Sequence, residues 1–279
     1  MVKLLLLVSF LSLNAQAANN SDISTMNKAR ALYEKNKLEL AIDLYSKVKS
    51  DSDFWLESLE EKAWAKTRLG KHEEALADLK SIASPVWSAQ VGPETYMLST
   101  FVSLKICAYK DVLKKISTFK KIILPRVDAL EKIQEEPLNE THWSVLNKLK
   151  DANLTMISLG KLTDQFPRYF FRDKELISSV KAGQMSQAQS RLRQLAAIDL
   201  EEIKTNLKKM KVIEVELIQN VMTLDENTKT KKEKLKFEKV DANKSITFPI
   251  SNEEVWLDEV GHYQVKAQKC PYYTEVKKL

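Results

Sequence analysis

Residues 27–50 and 61–84 match each other at an offset of 34, and this internal period constrains the fold more than any other feature of the chain. Ala29 falls on Ala63, Asn36 on Gly70, Ala41 on Ala75, Tyr45 on Leu79 and Val48 on Ile82, so small and large apolar residues each keep their register. A fixed period of this size marks stacked helix-turn-helix units, none of which buries its apolar face without its neighbours. Within each unit a small side chain of the first helix (Ala29, Ala63) faces one of the second (Ala41, Ala75), where two backbones approach closely. Asn36 and Gly70 stand at the turn, where a chain leaving a helix needs a residue that accepts a positive φ.

The segments NKARALYEKNKLELAIDLYSKV and EEKAWAKTRLGKHEEALADLKSI resemble the tetratricopeptide repeat family. That resemblance implies a concave face lined by the first helices of successive units. The matching positions are Met26, Arg30, Tyr33 and Glu34, then Glu60, Trp64 and Arg68, then Met97, Phe101 and Lys105. The expected ligand is another protein or peptide lying in the groove, because Arg, Tyr and Trp most often dominate interface energy. Aromatic stripes at helical spacing are also core, so the protein's own tail or long helix is the competing occupant of this face.

The array is expected to fill residues 18–124. Shifting the second unit by 37 places Ala63 on Thr100, Gly70 on Cys107, Ala75 on Val112 and Leu79 on Ile116, a degenerate third unit running from Glu94 to about Ile123. Beyond Pro125 the spacing predicts helices over 126–136 and 141–163 separated by Pro137, then a buried aromatic connector, Phe166-Pro167-Arg168-Tyr169-Phe170-Phe171. Ala182-Gly183 followed by Ala188 repeats the turn and the small residue of the earlier units; the alternative is a chance match within one helix. Residues 196, 200, 203, 207, 210, 214, 217, 221 and 224 then keep alternating spacings of 4 and 3, apolar except at Glu214. This is the seam of a long coiled-coil-like helix, which cannot bury its apolar stripe alone. Two partners fit: the helix over 141–163, giving an antiparallel hairpin across 125–240, or the same helix of a second chain, giving a homodimer. The Lys-rich run 229–236 reads as the solvated end of that helix, the alternative being a patch for an anionic surface. In the tail, 241–279, Ser251 with Glu254 forms a capping box that starts a short helix carrying Val255, Trp256, Leu257 and Val260. The tail, through Trp256, Asp258, Glu259, Tyr263 and Cys270, resembles the ends of exported repeat proteins of predatory and gliding bacteria. That resemblance implies an association with envelope machinery, gliding-motility complexes included.

Lys3, the apolar run Leu4–Leu13 and the triplet Ala15-Gln16-Ala17 have the layout of a secretory signal peptide, with removal of 1–17 expected. The apolar run is half of the roughly 20 residues a spanning helix needs, so no stable membrane span and a periplasmic or secreted location are expected. Only 5 Gly and 7 Pro in 279 residues, with 29% charged, suit an all-α chain and argue against Gly-rich phosphate loops. The net charge of +6 comes from 44 basic and 38 acidic residues that are interspersed, a solvated helical surface rather than a nucleic-acid footprint. His72, His142 and His262 are isolated and form no metal-ligand spacing. Ser117-Thr118-Phe119-Lys120 matches SxxK without its companion motifs, and Asp258-Glu259 are adjacent on a helix and point apart. No cofactor, metal or catalytic set is expected. In an oxidising compartment Cys107 and Cys270 favour a disulfide, the alternative being two independent thiols. The resulting expectation is a non-enzymatic scaffold or adaptor of the bacterial envelope. Two alternatives are a component of a motility or surface-attachment complex and an accessory regulator of a cell-wall enzyme.

Overall fold

A computed structural model describes residues 21–230, apart from 85, 86, 88, 89, 152, 153 and 155. The described residues are helical, with no strand among them. In order they form α1 (residues 21–34), α2 (Leu38–Tyr45), α3 (Trp55–Arg68), α4 (His72–Ile82), α5 (Pro93–Lys105) and α6 (Tyr109–Glu135). There follow α7 (Glu140–Lys148), α8 (Met156–Leu159), a 3-10 turn (Gly160–Gln165), α9 (Lys174–Lys181) and the 46-residue α10 (Met185–Thr230). The expected leader 1–17, the part of the Lys-rich run beyond Thr230 and the tail with Trp256, His262 and Cys270 lie outside the described residues.

The repeat is visible in the backbone. Asn36, Gly70 and Cys107 have φ of 56°, 76° and 59°, and each closes a Schellman turn. In these turns Lys37 N donates to Leu32 O, Lys71 N to Lys66 O and Ala108 N to Ser103 O, all at 2.9 Å. The next helix starts identically each time, with φ/ψ of −88°/63°, −81°/61° and −80°/60° at Lys37, Lys71 and Ala108. Gly183, at φ 74°, makes a fourth such turn, with Gln184 N donating to Ser179 O at 2.9 Å. Around these turns Ala29, Ala41, Ala63, Ala75, Thr100, Val112 and Ala188 have no exposed surface, as helix pairs in close contact require. The fourth unit keeps the turn but not the stacking, since α10 rather than α9 lies against α5 and α6.

Two expectations are corrected. Pro125 does not end a helix: α6 continues through it for 27 residues, so residues 126–136 belong to the helix that begins at Tyr109 and a boundary at 124/125 would cut it. An interior proline typically costs about 3 kcal/mol. Here it sits on the solvent side, while Val112, Ile116, Phe119, Ile123, Arg126, Leu130 and Ile133, spaced alternately by 4 and 3, stay buried. The antiparallel partner of α10 is therefore α6, not a helix over 141–163. That segment is interrupted after Lys148 and again at Gly160, where φ is 52°.

The register of the hairpin is fixed by Lys120 to Glu214 at 3.1 Å, Lys204 to Glu131 at 4.0 Å and the Arg193 side chain to the Glu136 carbonyl at 3.1 Å. The buried seam of α10 runs Leu192, Ala196, Asp199, Ile203, Asn206, Met210, Ile213 and Leu217. It includes two polar residues, Asp199 and Asn206, beside Leu200, buried in the same core as expected, and Leu207, partly buried against it. Phe166 and Phe170 of the connector are buried against the same core, as their sequence predicts.

Candidate functional site

The residues expected to line a groove along α1, α3 and α5 divide into three groups. Met26 and Met97, 1% and 4% exposed, are core side chains rather than groove lining. Lys105 is engaged by the long helix, its ammonium 3.7 Å from Glu216 of α10 and 5.1 Å from the Phe101 ring, and Phe101 is partly buried against the main core. Arg30, Tyr33, Glu34 and Trp64 line an open cavity of about 640 Å³ together with Tyr45, Glu61, Glu94 and Lys209. The long helix thus pairs with Lys105 of the third unit and supplies one wall of this cavity through Lys209.

The side chains around this cavity are held by one another. Arg30 forks onto Glu61 with three contacts of 2.6–3.0 Å, a planar bidentate pair that links α1 to α3. Burial, with a hydrogen bond to Glu61, pushes the Tyr45 phenol well above its usual range. Arg68 stands 4.8 Å over the Tyr33 ring and donates to Asn36 Oδ1 at 3.0 Å, so it packs against Tyr33 instead of lining the cavity. Trp64 is half-buried, and its Nε1 donates to Glu94 Oε1 at 3.1 Å, with the Lys209 ammonium 4.0 Å from the same oxygen. The exposed aromatic edges of Tyr33 and Trp64 are therefore preorganised at one mouth, which lowers the entropic cost of engaging a partner.

A polar centre joins the array to the hairpin. Asp199, 2% exposed, accepts from the Arg168 backbone N at 2.8 Å and from Arg168 Nε at 3.1 Å, and lies 3.4 Å from Arg126 Nη2. Arg168 also pairs with Glu202. Its guanidinium passes so close to Gly92 that a Cβ there would collide with it, which explains a glycine at that helix entrance. Arg172 reaches Glu57 at 2.7 Å and the Asp53 carbonyl at 2.5 Å, and the two guanidiniums flank the Tyr169 ring at 5.0 and 5.4 Å. Glu60, predicted as groove lining, turns inward to accept from the Thr95 hydroxyl. Desolvation pushes its carboxyl up to about 7, with Glu94 and Glu202 adding to the shift and Thr95 and Arg168 opposing it.

A second cavity of about 830 Å³ opens between α6, α7 and the 3-10 turn, where Lys121, Lys132 and Lys161 alternate with Asp128 and Asp164 around buried Arg126 and His142. The His142 Nδ1 is used by its own helix cap, accepting from Asn139 N at 3.3 Å. Among the described residues no group of three His, Cys, Asp or Glu is placed to hold a metal ion, and no helix is long and apolar enough to cross a membrane. Cys107 is in its disulfide-bonded state, while Cys270 lies outside the described residues.

Tyr45, Glu61, Glu94 and Lys209 were not expected at this cavity. A signal for Glu61 exists in the repeat itself, because Arg30 and Glu61 on neighbouring first helices, and Glu39 and Lys71 on the units behind them, are opposite charges 31 and 32 residues apart. Lys209 carries no such signal, since the crossing of α10 over α5 is set by packing far away in sequence. No known protein family, no curated protein and no solved structure matches the chain.

Proposed function

We propose that this protein is a non-enzymatic adaptor of the bacterial cell envelope, a divergent member of the tetratricopeptide repeat family that holds a partner protein or peptide in the groove formed by α1 and α3. The observation that carries the reading is the open cavity bordered by Tyr33, Trp64 and Arg30, side chains of the types that dominate interface energy, already braced by Arg68, Glu94 and Glu61. The acidic groups at its mouth, Glu34, Glu61 and Glu94, stand beside the basic Arg30 and Lys209, so a partner segment with an apolar or aromatic anchor flanked by charges of both signs fits. The signal-peptide layout of residues 1–17 supports an envelope location, with which an oxidised Cys107 agrees. Cys270, the other cysteine of the chain, is its proposed disulfide partner. Membership of a motility or attachment complex differs from this reading in the identity of the partner, not in the physics of the groove.

The test is capture from envelope extracts on immobilised mature protein, beside Tyr33→Ala and Arg30→Glu. A partner retained by the wild type and reduced about tenfold or more by either variant supports the groove, in line with the 1–2 kcal/mol or more expected of an interface anchor. A partner retained equally by all three proteins contradicts it.

A further inference from the structure

The outer face of α10 is not matched to solvent. Val212, Val215, Ile218 and Met222 are between 47% and 66% exposed and fall 3, 3 and 4 residues apart, on the side turned away from the buried seam Ile203, Asn206, Met210, Ile213 and Leu217. A continuous exposed apolar stripe of this kind marks a surface that something covers. One turn towards the start of the helix the same face carries Lys208 and Lys211, both exposed. The stripe also has a defined place in the fold. Glu216 pairs with Lys105 at 3.7 Å, two residues before Cys107, so the disulfide-bonded turn between α5 and α6 lies at the end of the bundle along which the stripe runs.

We propose that the stripe is the docking site of this chain's own segment 251–263. Read at helical spacing, Trp256, Val260 and Tyr263 fall on one face with Glu253 and Glu259 on its two flanks. That is an apolar strip with acidic borders against an apolar strip extended by two lysines. Chain length permits the return. The residues between Thr230 and Ser251 can reach roughly 65 Å when extended, whereas coming back from Thr230 to the level of Val215 takes about 22 Å of helix. The residues between Tyr263 and Cys270 add a reach of about 23 Å, enough to close a disulfide on Cys107 from a segment lying on α10. The tail then covers the back of the long helix and leaves the groove of α1 and α3 free, so the inference does not rest on what the groove binds.

Hydrogen exchange on the oxidised mature protein tests the proposal, with Val215→Glu and Lys211→Glu as variants on a face whose exposure leaves the core untouched. Residues 251–263 are expected to exchange about tenfold or more slowly than an unstructured chain in the wild type. They should return to the unstructured rate in Val215→Glu while the amides of α5 and α6 keep theirs. Lys211→Glu should weaken the protection and added Glu259→Lys should restore it. An unprotected segment in the wild type overturns the proposal, as does protection that survives Val215→Glu. Protection that vanishes on dilution together with a dimer mass in light scattering also overturns it, since the occupant is then a second copy of the chain.

Discussion

Replacing Asp199 by Ala removes the one carboxylate shared by two guanidinium groups at the joint between the repeat array and the hairpin. The aspartate is 2% exposed, and the Arg126 and Arg168 side chains are 4% and 10% exposed, so water does not compensate for the loss. Breaking a buried ion pair by deleting one partner costs about 3–5 kcal/mol, and the lost acceptor for the Arg168 backbone N adds about 1 kcal/mol. Glu202 still balances Arg168, which places the expected cost near the lower limit, about 4 kcal/mol. Domains of this kind have total stabilities of about 5–15 kcal/mol, so the variant should remain folded with a melting temperature lower by roughly 8–14 °C. Urea unfolding followed by circular dichroism, with the slope unchanged, measures it. Arg126→Met combined with Asp199→Ala should cost less than the sum of the two single changes, because each single change strands the other's charge. A loss below about 1 kcal/mol for Asp199→Ala, or strict additivity in the pair, would refute the account of this centre.

Glu60→Gln should make the protein more stable at pH 8 by about 1–3 kcal/mol and leave it nearly unchanged at pH 4. The folded carboxyl titrates at about 7, above its unfolded value, so the folded state holds the extra proton and wild-type stability falls as pH rises from about 4.5 through 7; urea midpoints across that range check the sign. Trp64→Ala should cost about 2 kcal/mol, less than the 3–5 kcal/mol of a fully buried aromatic, because Trp64 is half-buried between the core and the cavity; a thermal melt reads it. Gly70→Ala should cost about 1 kcal/mol from backbone strain alone, since φ is 76° and nothing lies within 4 Å of the added Cβ. Gly70→Asn should recover part of that loss, as Asn36 occupies the equivalent turn at φ 56°, and denaturant unfolding of the two variants tests the order.

The turn residues were legible because a positive φ at a helix end selects Asn or Gly, and the offset of 34 repeats that demand at Asn36 and Gly70. Cys107 in the same conformation is less visible, because only the flanking register of Thr100, Val112 and Ile116 points to it. The third helix pair and the long α10 follow from apolar spacing, and the burial of Phe166 and Phe170 from their clustering. What the sequence hides is long-range pairing. Two polar residues in the α10 seam, Asp199 and Asn206, obscure the 4-3 pattern that faces α6, and a proline tolerated on the outer side of α6 mimics a helix end. Of the residues expected along the groove, Arg30, Tyr33, Glu34 and Trp64, whose positions repeat along with the turn, meet at one cavity. Met26, Met97 and Glu60 do not reach that cavity, because one residue's rotation about a helix axis separates a lining side chain from a buried one.

A photoreactive phenylalanine analogue placed at Tyr33, at Trp64 and, for comparison, at Asp43, an exposed residue of α2 outside the cavity, interrogates the groove directly in intact cells that export the protein. The adaptor account predicts a covalent adduct of one defined mass from positions 33 and 64 and none from 43. Equal adducts from all three positions, or no adduct from Tyr33 and Trp64 while the protein is folded and exported, would contradict it.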